Sequence, residues 1–144
     1  MDRAFEKQAE KLGDIVLLGG RLLLAWLFLH ESATVIANFN AAAAGMAKIG
    51  VPEPLLIATI ALQLSGGVAI ALGWQARLGA AALGLFCVAT AILFHTNFDS
   101  RNELLHFEKD LAIAGGMFVL TVRGAGAWSL DALYRTRNFA GAPA

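Results

Sequence analysis

Leu55–Trp74, LLIATIALQLSGGVAIALGW, runs without a single charged side chain. A hydrocarbon core about 30 Å thick needs about 20 apolar residues in helical form, so this run reads as a membrane span as it stands. Pro52 and Pro54 exclude a helix interior before it, and Pro54 suits a helix start, which sets the expected span at 54–74. Gly73-Trp74-Gln75-Ala76-Arg77 then reads as a tight connection carrying an interfacial aromatic and a cation.

Working outward, the rest of the chain divides into segments of the same kind. The first span is expected over 15–39, the third over 77–96 and the fourth over 108–126. The fourth has the shortest strictly apolar core, Leu111–Val122. It crosses only if Lys109, Asp110 and Arg123 sit near its ends or face protein. Residues 1–14 mix both charge signs, with Phe5, Ala9 and Leu12 at near-helical spacing; they read as a short amphipathic surface helix or a polar tail. The run AAAAG at 41–45 resembles a small-residue cleavage site. Four acidic residues in the leader and the distance of the Ala run from the apolar core argue for a retained helix instead. GMAKIGVPEP at 45–54 reads as a loop, and 127–144 as a tail with Arg135 and Arg137. The expected fold is all-α: one domain over 1–144, an integral membrane four-helix bundle.

Four spans place both termini on one side. That side carries Arg3, Lys7, Lys11, Arg21, Arg77, Arg123, Arg135 and Arg137, against Lys48, Arg101 and Lys109 on the other. The positive-inside rule makes the richer side cytoplasmic, which implies a multi-pass protein of a bacterial inner membrane.

Composition agrees and excludes several classes. Of 144 residues, 58% are hydrophobic and 15% charged, with mean hydropathy +0.63. Soluble domains carry about 25% charged residues, so too few are present to cover a water-facing surface. Eleven basic and eleven acidic residues balance, leaving no polybasic surface for nucleic acid. The single cysteine, Cys87, forms no intramolecular disulfide and belongs to no Cys-x-x-Cys pair, which excludes dithiol redox chemistry. It reads as a packing residue.

Gly66-Gly67 and Gly115-Gly116 suit close helix approach, and Gly84, Cys87, Ala91 and His95 form a stripe at i, i+3, i+7 and i+11. Charged groups in hydrocarbon cost at least about 2.5–3.5 kcal/mol, so those present face the bundle or an interface. Arg21, two turns into the first span, is expected to snorkel to head groups. Trp74, Arg77, Arg123 and Trp128 complete the membrane-interface set. Glu31, Gln63, His95, Lys109 and Asp110 fall in the outer half and are the ligand-binding candidates; a self-satisfied Glu–Lys–His network is the competing reading. His30, His95 and His106 lack short ligand spacing, so no metal site is expected.

From about Gly13 to Tyr134 the chain resembles the DoxX family of small bacterial inner-membrane proteins. The resemblance rests on Arg21-Leu22-Leu23-Leu24, Met46–Pro52, Leu64–Gly73 with Arg77, Phe94–Phe98, Phe107–Gly116 and Gly124–Asp131. It implies a four-helix inner-membrane protein. The family takes its name from a membrane subunit of an archaeal thiosulfate:quinone oxidoreductase, and its members are functionally diverse. Three positions depart from the family pattern: Val35 in place of a Lys, Gln63 in place of an acidic residue, and Lys109-Asp110 in place of Lys-Asn. The first two remove one charge of each sign, as expected of an intramembrane pair lost together. Asp110 is expected to give Lys109 or His95 a negative partner.

Two readings of function follow. In the first the chain is a membrane subunit of a quinone-linked redox system. Lys109 and His95 would meet a quinone carbonyl, while Asp110 or Glu31 handles protons. No haem, flavin or iron–sulfur ligand pattern is visible, so no intrinsic cofactor is expected and electrons would come from a protein partner. In the second it is a non-catalytic anchor or assembly subunit of a larger membrane complex. A transporter would need polar groups through both halves, and the inner half offers only Arg21 and Arg123.

Overall fold

The computed structural model describes residues 3–139, with side chains to Arg137; Asp2 of the charged leader and residues 140–144 of the tail lie outside this range. The helices are α1 (Arg3–Ala37), α2 (Phe39–Lys48), α3 (Glu53–Leu72), α4 (Ala76–Phe94), α5 (Arg101–Arg123) and α6 (Leu130–Phe139). No strand is present among the described residues. Helices α1, α3 and α4 are each long and apolar enough to cross a membrane. Helix α3 packs against α1 and α4, α5 lies along α4, and α5 also touches α1.

The α3–α4 corner shows how local chemistry sets this arrangement. Pro52 stands at the N-cap of α3 in extended conformation and Pro54 lies in its first turn. At the other end Gly73 is left-handed (φ 67°), and its N–H bonds Ile70 O while Trp74 N–H bonds Ala69 O at 2.9 Å. That crossed pair is the Schellman closure that glycine makes cheap. The chain reverses at once into α4, so α3 and α4 run antiparallel. They approach closely because Gly66 has no side chain: a Cβ there would lie 2.8 Å from Leu83 Cδ1.

The core runs between the long helices, with Phe28, Ile70, Leu83, Met117 and Leu120 buried in it. Gly84, Cys87 and Ala91 are buried as their spacing implies. The outward faces are equally apolar: Leu23 is 74% exposed and Val122 73%. Such faces are stable only in lipid or against another chain.

Three boundaries differ from the sequence reading. Residues 3–14 are not a separate surface helix but the first turns of an unbroken 35-residue α1, because Phe5–Leu12 contains only tolerable or strong helix formers. Asn38 breaks α1, and Phe39–Lys48 forms a helix of its own where a loop was expected from residue 45. The loop after α4 is short, so α5 begins at Arg101. Gly115 also differs: it faces open space, and only Gly116 meets another helix, at Leu24.

Candidate functional site

The ionisable groups gather where α4 ends and α5 begins. His95 follows the last residue of α4, its N–H still bonded to Ala91 O at 3.1 Å. Glu103, His106 and Asp110 recur at i, i+3 and i+7 along α5, which puts them on one face, the face against α4. His95 Nδ1 lies 2.8 Å from Glu103 Oε2, both residues being about a quarter to a third exposed. The His95 ring stacks on His106 with centroids 5.1 Å apart. Lys109 Nζ sits 3.1 Å from His106 Nδ1. An ammonium only donates, so this contact requires an unprotonated His106 Nδ1. Glu103, His95, His106 and Lys109 thus form a continuous polar rim.

The other candidates stand apart from that rim. Asp110 Oδ2 accepts from Thr90 Oγ1 at 3.0 Å, and the same hydroxyl lies 2.9 Å from Cys87 O. Its one proton must be divided between them. Asp110 therefore does not serve as the partner of Lys109 or His95: those groups pair with His106 and Glu103, which the helical period brings nearer. Gln63 is buried at 8% exposure, beside Ser32 Oγ at 3.1 Å. Ser32 also donates to Phe28 O at 2.8 Å. With one hydroxyl proton, the pair is satisfied when the Gln63 amide turns its NH2 toward Ser32. Val35, one turn beyond Ser32, is half-buried.

Glu31 is exposed. Leu24 of α1 meets Gly116 of α5, and Glu31 and Lys109 each lie seven residues farther toward the His95 end. The helical period sets them on facing sides of the α1–α5 seam. No ion pair joins them among the described residues.

At the opposite end Arg21 overturns its expected role. It is 3% exposed and does not snorkel. Its Nη1 donates to Ala125 O at 2.7 Å and its Nη2 to Trp128 O at 2.9 Å, while Nε is buried without a partner. The backbone after α5 turns inward and offers the guanidinium its carbonyls. Trp74, Arg77, Arg123 and Trp128 are all exposed at this same end.

Asp131 completes it. Its carboxylate accepts from the N–H of Gln75 at 2.8 Å and of Ala76 at 3.1 Å, and its own N–H donates to Gly73 O at 2.9 Å. Gln75 is left-handed (φ 48°) and stands at the N-cap of α4 without a capping hydrogen bond from its own side chain. A carboxylate 56 residues downstream performs that role. Ser129 caps α6 in turn, accepting from Ala132 N–H at 3.1 Å. Sequence reasoning missed Glu103 and Asp131 as partners. The Glu103–His106 spacing was a readable signal; the reach of Asp131 to Gln75 was not.

Long apolar helices with lipid-compatible outer faces define an integral membrane protein, and the comparisons narrow the class. DoxX is the family that matches, over residues 16–96. The chain is 36% identical over 124 residues to the inner membrane protein YqjF of Escherichia coli, covering 86% of this chain and 95% of that one. It is 28% identical over 124 residues to the inner membrane protein YphA of the same organism, covering 81% and 89%. No solved structure gives a significant match. The chain belongs to the DoxX family, and it is a membrane protein of the inner membrane.

Proposed function

We propose that the chain is an integral subunit of a quinone-linked redox system, with the Glu103–His95–His106–Lys109 rim receiving the quinone head group. The observation that carries this reading is the unbroken rim itself: a carboxylate, two stacked imidazoles and an ammonium in contact, where α4 ends and α5 begins. Lys109 donates to a quinone carbonyl, and the His95–Glu103 pair passes the accompanying proton. In this reading α5 is the fourth span of a four-helix bundle. Its 23 residues reach about 35 Å. Both termini are cytoplasmic, because the Arg21 end holds eight of the eleven basic residues, and the rim is periplasmic. Electrons arrive from a protein partner.

The test is the quinone content of protein purified in mild detergent. Native protein should retain quinone, and His95→Ala or Lys109→Ala should lower it at least tenfold while the helices persist. Equal quinone content in native and variant protein would sink the proposal. The second reading, a non-catalytic anchor or assembly subunit, is favoured by the fully exposed segment Arg3–Gly13, which suits docking more than catalysis. It predicts quinone-free protein that always purifies with a larger complex.

A further inference from the structure

Helix α1 carries two opposed faces. Arg21, Ala25, Phe28 and Ser32 form the buried one that serves the chain's own core. The opposite face starts at Phe5, Ala9, Leu12 and Val16, all exposed, with Phe5 at 64%, Leu12 at 62% and Val16 at 66%. The alternating spacing of four and three residues then continues through Gly19, Leu23, Trp26 and His30. Over Phe5–Leu12 this is a 3.5-residue spacing set off by polar neighbours at every intervening position, and it continues in register into the mostly apolar stretch that follows, as in a supercoiled helix pair.

Lipid alone does not account for the face. Residues 3–13 lie beyond Asp14, whose carboxylate meets Ala127 N–H, and they project about 16 Å at helical rise. Arg3, Glu6, Lys7, Glu10 and Lys11 keep that segment in water, yet the apolar repeat runs through it unbroken. Those charges avoid the repeat, and only Glu6 borders it. At the far end His30 lies about 14 Å along α1 from Arg21, on the lipid-facing side, where hydrocarbon offers its ring no hydrogen bond.

We propose that this face is a homodimer seam, on which α1 of a second copy packs in parallel and in register about a two-fold axis normal to the membrane. A second copy is the occupant that matches on every count. It is inserted in the same direction, begins its repeat at the same height, and crosses from water into lipid at the same residue. Neutral imidazole both donates and accepts, so His30 of one chain satisfies His30 of the other, and a polar layer of this kind fixes register. Gly19 has nothing within 4 Å of where a Cβ would stand, which leaves room for close helix approach. The seam is independent of the quinone reading.

Disulfide trapping in native membranes tests it, with buried Cys87 as the silent background. Leu12→Cys and Val16→Cys should oxidise to a covalent dimer at least tenfold faster than Lys7→Cys and Glu10→Cys on the opposite face. Equal rates at the four positions would overturn the proposal. So would adducts at Leu12→Cys and Val16→Cys that contain only other proteins. Because these sites are exposed, with Leu12 at 62% and Val16 at 66%, the substitutions leave folding intact. As a second readout, Leu12→Lys should weaken dimerisation in detergent at least tenfold, with the monomer retaining its helical content; unchanged dimerisation would count against the seam.

Discussion

The two ends of the helical assembly are held by different means. At the Arg21 end a buried side chain and two backbone-directed carboxylates join segments more than 50 residues apart: Arg21 to Ala125 and Trp128, Asp14 to Ala127, Asp131 to Gln75 and Ala76. At the His95 end the ionisable contacts are side chain to side chain, partly exposed, and confined to α4 and α5. One end is built to hold the fold, and the other presents groups at its surface. Stability and ligand chemistry should therefore separate when each end is altered.

The sharpest break falls on Arg21. Charge-assisted hydrogen bonds contribute about 1.5–3 kcal/mol each, and Arg21→Ala removes two while leaving both carbonyls in place. Unfolding in a graded denaturing detergent should show a loss of about 3 kcal/mol or more. A loss under about 1 kcal/mol would mean that the buried guanidinium does not hold the end together.

Gly73→Ala should cost somewhat less, about 2 kcal/mol, from a left-handed φ that an L side chain resists plus a steric conflict. Its Cβ would stand 2.6 Å from Arg21 Nη1 and 2.5 Å from Ser129 Cβ. The same melt checks it, and a neutral result would show that the corner can shift. Asp131→Ala should cost about 1 kcal/mol, the usual value of a helix cap. Gln75→Gly in the native background should recover a few tenths by relieving the left-handed strain at φ 48°.

Sequence reading reached the spans because hydropathy is a local property: Leu55–Trp74 announces itself within twenty residues. It missed the continuity of α1 because Glu6, Lys7, Glu10 and Lys11 mark a watery place, and water is equally compatible with a projecting helix and a surface-lying one. It placed Arg21 at a head group because charge and depth are visible in a chain, whereas the carbonyls of Ala125 and Trp128 are brought in by folding. At the candidate site His95, Lys109 and Asp110 were legible as a dense group. Of their partners only the Glu103–His106 spacing was readable, since which group meets which depends on which turn of α5 faces which turn of α4. Glu103 wins His95 over Asp110 by standing two turns nearer the loop.

The smallest loss of stability should come from the His95 end, and it is the most informative for that reason. His95 and Glu103 form a partly exposed pair, and such pairs contribute about 0–1 kcal/mol. Glu103→Gln should shift the unfolding midpoint barely, by less than about 0.5 kcal/mol. The amide is isosteric and still accepts from His95, so the rim keeps its shape while losing its negative charge. If the rim handles protons at a quinone, Glu103→Gln should retain bound quinone but slow its reduction in the assembled complex at least tenfold, whereas His95→Ala should lose the quinone itself. A rim that is only structural would show neither effect. The split between binding and turnover therefore separates a proton-handling end from one that merely caps two helices.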